Sequence, residues 1–350
     1  MKKILIQKTV SLIDSMKILQ KTANRELIVV HNKNKLFGTL NDGDIRRAVI
    51  NGAKFDESVE KYCNHNPTFI HEGHKNYFDL KVKMIVSKIF MVPVVDSKKK
   101  IKRYLSLNQV ENLCNKKSPL SIKASCIIMA GGLGSRLKPF SDVLPKPLLP
   151  INNTTVIEEI LSNFIKNGIK NIYISVNYKA SLLKTFLLKK KYNFKINFIN
   201  EKKPLGTIGG LSLMKTNRIS HFFVTNCDTL IDYNYKKILE NHIKSKSILT
   251  IVVAKKKSKI NYGVCKKNNK NELVGIEEKP EKYNLVNTGL YLMNNDILKF
   301  IPKNKKLDTT DLIKKLIKKR KKINLYSIEE ILWTDVGEWD PFSKYLNKIS

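Results

Sequence analysis

Residues 126–150 read CIIMAGGLGSRLKPFSDVLPKPLLP. The apolar run Cys126 to Ala130 has the composition of a buried strand, and it opens directly into a loop carrying Gly131, Gly132 and Gly134. A strand that feeds a loop of uncovered backbone N–H groups makes a cradle for phosphate, and glycines let that backbone approach an anion without Cβ clashes. Ala130 and Ser135 bracket the cradle. Arg136 and Lys146 add a planar fork and a compact point charge. Pro145 and Pro147 fix φ on both sides of Lys146 and limit its reach. The pattern implies a nucleoside triphosphate site in an enzyme. It is not a Walker loop, because no Gly-Lys-Ser/Thr follows the glycines. It is also not a dinucleotide fingerprint, because Leu137 stands where a third small residue belongs.

Outward from this loop, the chain from residue 124 alternates strand and helix with α/β spacing. Strands are predicted at 125–130, 170–176, 195–200, 221–227 and 248–254, and helices at 155–167, 181–189, 208–215 and 233–245. This predicts a parallel, doubly wound sheet, with ligands beyond the C-terminal strand ends. The informative residues fall there. Lys203-Pro204-Leu205-Gly206-Thr207-Ile208-Gly209-Gly210 is a glycine-rich turn that can pack against a flat base; Thr207 alone could also be a helix N-cap. Asp228 ends the apolar strand Phe222-Phe223-Val224-Thr225-Asn226-Cys227-Asp228, and Asp335 sits in Ile331-Leu332-Trp333-Thr334-Asp335-Val336-Gly337. Carboxylates in such places can hold Mg²⁺ at a triphosphate.

The stretch 131–150 resembles the GGxGxRLxP…PKPLLP signature of sugar-1-phosphate nucleotidyltransferases. Further motifs follow in family order: Leu205-Gly206-Thr207-Ile208-Gly209 for LGTAG, Asn226-Cys227-Asp228 for Asn-Gly-Asp with Cys227 in place of glycine, Tyr262-Gly263-Val264, Glu277-Glu278-Lys279-Pro280 for EKP, and Val286-Asn287-Thr288-Gly289-Leu290-Tyr291. The resemblance implies a catalytic pair Arg136 and Lys146, and nucleotide contacts from Ala130, Gly131, Gly132, Gly134, Ser135, Gly206 and Thr207. It implies sugar-phosphate contacts from Gly263, Glu278, Lys279 and Asn287, and Mg²⁺ on Asp228 and Asp335. The reaction it implies is nucleotidyl transfer from an NTP to a sugar 1-phosphate, with release of pyrophosphate.

The first part of the chain lacks a phosphate loop. It repeats a strand–turn–strand–helix unit: LIVV (27–30), KLFGTL (35–40) and DGDIRRAVING (42–52), then FMVPVVD (90–96), KKKIKRYLSL (98–107) and NQVENLC (108–114). Gly38 to Arg47, Asn66-Pro67 and Pro93-Val94-Val95-Asp96 resemble a CBS-domain pair. That resemblance implies an adenine nucleotide between the halves, with Asp44 on the ribose. Asn41 stands where the family has Thr or Ser, and Gln109 replaces the second-half Asp, so a purely structural or dimerising pair is the alternative. The polar stretch around Pro119 separates the two parts. The expected organisation is a CBS-domain pair at 1–117, a linker at 118–123 and an α/β, Rossmann-like nucleotidyltransferase domain at 124–350.

Lys and Arg number 65 against 30 Asp and Glu, a formal charge of +35. Only seven of the 65 are Arg, and the lysine runs 189–191 and 255–257 lack interleaved aromatics, so nucleic acid is not the expected partner. The field attracts anionic nucleotides and sugar phosphates. The five cysteines (Cys63, Cys114, Cys126, Cys227, Cys265) form no CxxC pair, which argues against a zinc site or disulfide framework. No apolar run approaches a membrane span, and MKKILIQKTV lacks a signal-peptide core. A cytoplasmic homo-oligomer is expected. The CBS pair together with GLGSRLKPFSDVLPKPLLP and NIYISVNYKA resembles bacterial guanylyltransferases, especially those acting on glucosamine 1-phosphate in legionaminic acid synthesis. This implies GTP as donor. Mannose- or heptose-1-phosphate guanylyltransferases, UDP-, dTDP- or CDP-sugar enzymes, and a catalytically silent nucleotide sensor are the alternatives.

Overall fold

The computed structural model describes residues 4–22, 25–116, 122, 124–151, 153–190, 192–214 and 219–337. The chain divides into two compact units, Met1–Ser118 and Pro119–Ser350. Apart from Ile122, the predicted linker lies outside the described residues.

The first unit repeats one topology. β1 (Leu5–Gln7), α1 (Leu12–Thr22), β2 (Glu26–His31), β3 (Lys35–Asn41) and α2 (Asp42–Ile50) are followed by β4 (Ile70–His71), α3 (Tyr77–Val86), β5 (Met91–Val95), β6 (Ile101–Ser106) and α4 (Leu107–Lys116). Each half is a three-stranded sheet, β1-β2-β3 or β4-β5-β6, with one parallel and one antiparallel pairing. Both second helices start on reciprocal caps. Asn41 Oδ1 accepts from Asp44 N at 2.9 Å while Asp44 Oδ2 accepts from Asn41 N at 2.9 Å. In the other half, Gln109 Oε1 accepts from Ser106 N at 2.9 Å and Ser106 Oγ accepts from Gln109 N at 3.4 Å. Such boxes satisfy two orphan donors of a helix start at once. Buried Glu26 ties the halves together, its Oε2 accepting from Phe90 N and Met91 N.

The second unit contains β7 (Ser125–Met129), α5 (Phe140–Val143), β8 (Pro150–Ile151), β9 (Thr154–Thr155), α6 (Val156–Lys166), β10 (Asn171–Val176), α7 (Ala180–Lys189), β11 (Lys195–Asn200), β12 (His221–Asn226), β13 (Thr229–Ile231), α8 (Tyr235–Ser245), β14 (Leu249–Lys259), β15 (Val264–Lys267), β16 (Leu273–Glu277), β17 (Glu281–Asn294), α9 (Thr309–Lys318), β18 (Ile323–Glu329) and β19 (Trp333–Asp335). Seven strands form one sheet in the order β11-β10-β7-β12-β17-β14-β18. Strands this central are apolar on both faces. Phe223 packs on Phe164 of α6 and Tyr235 of α8, while neighbouring Phe222 and Val224 join Leu312 and Leu316 of α9 in a separate core cluster. The period-2 alternation of a strand thus feeds two helical layers.

Two expectations need correction. The sheet is mixed: β17 runs antiparallel to both β12 and β14. Antiparallel neighbours need no crossover helix, and between β14 and β17 the chain makes only the β15–β16 hairpin. The helix expected at 208–215 is a short 3₁₀ segment, Gly209–Leu213. Two consecutive glycines lower helix propensity by about 1 kcal/mol each.

Candidate active site

The loop after β7 forms one wall of a cavity of about 430 Å³. Gly131, Gly132, Gly134, Ser135, Arg136 and Lys146 line it from this side, Gly206 and Thr207 from a second loop, and Asp228 from the end of β12. Nine of the sequence-predicted site residues are thereby brought to one place. Ala130 is not among the walls; it is buried and its N–H donates to Ser175 O. Gly206 holds φ +78°, and a β-carbon there would lie 2.6 Å from Leu307 O. Only glycine fits that left-handed, crowded position.

Asp228 and Asp335 meet because β13 pairs antiparallel with β19, with Thr229 opposite Asp335. Val336 N donates to Asp228 O at 2.9 Å, and Gly337 N donates to Asp335 Oδ1 at 2.7 Å. A β-carbon built on Gly337 would stand 2.6 Å from Asp228 Oδ2, 2.7 Å from Asp335 Oδ1 and 2.8 Å from Lys146 Nζ. Two carboxylates and one ammonium therefore converge on a single point that glycine leaves open. Lys146 is 8 % exposed and its Nζ donates to Asp228 Oδ2. Burial, and next the Asp228 charge, push the Asp335 carboxyl up from its ordinary value; the Gly337 N–H and the charges of Lys146 and Arg136 oppose this. Two carboxylates forced together beside a phosphate cradle fit a hydrated Mg²⁺, which needs only one or two carboxylates when substrate phosphates supply the rest. Among the described residues no cluster of three or more His, Cys, Asp and Glu is arranged around a metal position. Cys227 is buried on the same wall, and burial, then Asp228, push its thiol up to about 12. It stays protonated and is no nucleophile at neutral pH.

Sequence reasoning did not single out Glu201, whose partners come from distant segments. Glu201 Oε1 accepts from Ser175 Oγ at 2.6 Å and Oε2 accepts from Leu205 N at 3.0 Å. A β-carbon on Gly131 would touch the same Oε1 at 3.1 Å, so this buried carboxylate joins the phosphate loop to the 205–207 loop. Asn226, quoted in the sequence only as part of the Asn-Cys-Asp motif, was given no role there. It lines both this cavity and a second of about 400 Å³, whose other walls are Thr207, Tyr291, Asp308, Thr309 and Thr310. The predicted sugar-phosphate residues Gly263, Glu278, Lys279 and Asn287 line neither cavity. A β-carbon on Gly263 would lie 3.0 Å from Glu278 Oε2, and Lys279 pairs with Glu278 at 3.7 Å on an exposed edge. Asn287 reaches the second cavity indirectly, by donating from Nδ2 to Tyr291 Oη at 2.7 Å.

A family model described as Nucleotidyl transferase matches residues 125–350, which span the second unit's described elements and both loops of this site. The chain belongs to this family. A mannose-1-phosphate guanyltransferase of Hypocrea jecorina is 35 % identical over 225 residues, 61 % of this chain and 60 % of that protein. The bifunctional protein GlmU of Methanococcus aeolicus is 34 % identical over 227 residues, 61 % of this chain and 52 % of that protein. Both alignments thus span less than two thirds of the relatives' own lengths. HddC from Yersinia pseudotuberculosis complexed with GMP-PN superposes with a TM-score of 0.51 at 26 % identity, covering 65 % of this nucleotidyl transferase chain and 100 % of that one. No helix among the described residues is long and apolar enough to cross a membrane.

Proposed function

We infer that this nucleotidyl transferase moves a guanylyl group from GTP to a sugar 1-phosphate. The observation that carries the reading is the convergence of Lys146, Asp228 and Asp335 at the open end of the phosphate loop. The names of the curated relatives and the GMP-PN bound by HddC support guanine as the base.

The acceptor's phosphate oxygen attacks the α-phosphorus in line as the α–β P–O bond breaks, and pyrophosphate leaves. An anionic nucleophile needs no general base, so the work is positioning and charge neutralisation. Backbone at 131–135 and Arg136 hold the β- and γ-phosphates, and Lys146 neutralises charge on the α-phosphoryl. Asp228 and Asp335 would hold Mg²⁺, which supplies Lewis-acid stabilisation of phosphate oxygens when bound. Lys279 and Glu278 belong to the sugar-phosphate side. Mannose 1-phosphate is the acceptor in the curated relatives' names, and glucosamine 1-phosphate is the one implied by the resemblance of the sequence.

For the first unit we propose a CBS-type pair that binds a regulatory nucleotide or mediates homo-oligomers, in a cytoplasmic protein. A cleft of about 1000 Å³ lined by Arg25, Asn41, Asp42, Arg46, Arg47 and Lys88, among others, suits an adenine nucleotide's phosphates. Asp44 begins the same helix, with both carboxylate oxygens engaged: Oδ2 in the cap and Oδ1 by Arg47 at 2.5 Å.

The reading is tested by pyrophosphate release from GTP, a sugar 1-phosphate and Mg²⁺. Asp228→Asn and Asp335→Asn should each abolish turnover while the circular dichroism spectrum is unchanged. Full activity in either variant, or wild-type turnover in EDTA, would remove the metal assignment.

A further inference from the structure

The end of α9 and the turn after it concentrate positive charge. Seven of the nine residues 314–322, KKLIKKRKK, are Lys or Arg, and no Asp or Glu occurs from 312 to 328. Lys315 and Lys318 lie in the last helical turn, where a cation complements the helix dipole. That accounts for one or two cations and not for seven. Lys314 and Lys318, and likewise Lys315 and Lys319, are like charges four residues apart, which weakens a helix. The cluster is therefore not there to stabilise α9. Lys314 pairs with Asp311 at 3.8 Å, Lys315 Nζ donates to Phe300 O at 2.9 Å, and Lys321 Nζ stands 5.7 Å from the Phe300 ring centroid. Lys318, Lys319, Arg320 and Lys322 are exposed and pair with no carboxylate among the described residues.

A second segment joins this cluster. Ile248 N donates to Lys322 O at 3.0 Å, so the turn after α9 lies beside the turn after α8, which adds exposed Lys244 and Lys246. Asp296, from the segment after β17, is held by Lys299 at 2.7 Å. Two aliphatic side chains stand out among the cations, Ile317 at 62 % and Ile243 at 51 % exposed. The two turns enter β14 and β18 at their N-terminal ends, and these strands run parallel to each other. β12 and β14 are both antiparallel to β17, and β7 is parallel to β12. The phosphate loop and Asp228 follow the C-terminal ends of β7 and β12. The basic pole and the nucleotide cavity thus lie at opposite ends of the sheet.

We propose that this pole is a peripheral docking surface for an anionic lipid bilayer. A cluster of four to eight Lys and Arg side chains is the charge density that such a surface attracts. The cations meet lipid phosphates, and Ile243 and Ile317 reach the level of the headgroups, where an aliphatic tip gains by leaving water. The nucleotide cavity then faces the aqueous side, open to soluble substrates. Nucleic acid fits this pole less well. The pole holds a single arginine, and the ring of Phe300 is covered by Lys321 rather than free to stack on a base. Docking goes beyond guanylyl transfer and does not depend on it.

The experiment sediments the full chain with vesicles of phosphatidylcholine, with or without phosphatidylglycerol. Wild type should bind the anionic vesicles and not the neutral ones, more weakly as salt rises. Replacing Lys318, Lys319, Lys321 and Lys322 together by Gln should weaken that binding at least ~10-fold, since each cation near the surface contributes. A control variant with Lys33, Lys35, Lys98 and Lys100 of the first unit replaced by Gln loses the same net charge. It should bind within ~3-fold of wild type, because the unspecific field of the chain is a smaller contribution than local contact. Thermal melting checks that both variants are folded. No binding of wild type to anionic vesicles overturns the proposal, as does equal binding to neutral ones. An equal loss in both variants overturns it too, by assigning the effect to net charge. Tighter binding of wild type to a single-stranded RNA oligonucleotide than to vesicles, lost in the 318–322 variant, would assign the pole to nucleic acid instead.

Discussion

Lys146 sits between two prolines, 8 % exposed, with its ammonium on Asp228. In the proposed guanylyl transfer, its charge counts most when the α-phosphoryl becomes pentavalent. Lys146→Ala should therefore lower kcat by ~10²-fold or more, with a smaller change in KM for the nucleotide. A kcat within a few-fold of wild type would mean the charge acts elsewhere. At this scale the phosphate loop was legible, because three glycines, an arginine and a proline-flanked lysine lie within one short stretch. Glu201, Gly337 and Asp308 were not legible. Each acquires its meaning from residues far along the chain: Glu201 from Ser175 and Gly131, Gly337 from Asp228 and Lys146, and Asp308 from Thr207. No local spacing encodes those contacts.

Among the elements, strands with continuous apolar runs were the most readable, since a sheet covered on both faces leaves period and composition unambiguous. The direction of β17 was not readable, because apolar composition is the same whichever way a strand runs. The 209–213 segment reads as a helix by its apolar spacing, but Gly210 packs against Ser175 and Glu201, where a β-carbon would stand 2.6 Å and 2.7 Å away. Tertiary packing overrides the period there. The layer between α8 and the sheet yields a pH prediction. His242 of α8 is buried, its Nδ1 2.7 Å from Thr250 Oγ1 of β14 and its ring edge-on to His221 of β12. Burial, then the neighbouring His221, lowers its pKa from 6.5 to about 4. The unfolded chain thus binds more protons than the native one between those values, and stability falls as pH drops from 6.5 towards 4. Melting temperature should decrease between about pH 7.5 and about pH 5, and decrease less in His242→Gln, whose amide can still pair with Thr250. An identical decrease in both proteins would show that His242 is not a source of acid lability.

For the whole molecule, the two units differ in topology and in the cavities they carry. The first carries a repeated β-α-β-β-α topology and a cation-lined cleft, and the second carries every residue assigned to phosphate chemistry. The net charge of +35 gives the chain a field that attracts anions. The family was legible from ordered motifs, and so were the two loops that meet at the first cavity. The second cavity was not, because it is assembled from residues of β12, β17 and α9 together with the 205–207 loop. The most direct measurement of the central claim is a pyrophosphate-release screen of GTP, UTP, dTTP, CTP and ATP against a panel of sugar 1-phosphates, using the full chain with Mg²⁺. Guanylyl transfer predicts that GTP is used at least ~10-fold better than any other nucleotide, the margin of one or two base hydrogen bonds. A clear preference for another nucleotide would contradict guanine recognition, and the absence of pyrophosphate release with every pair would contradict nucleotidyl transfer itself.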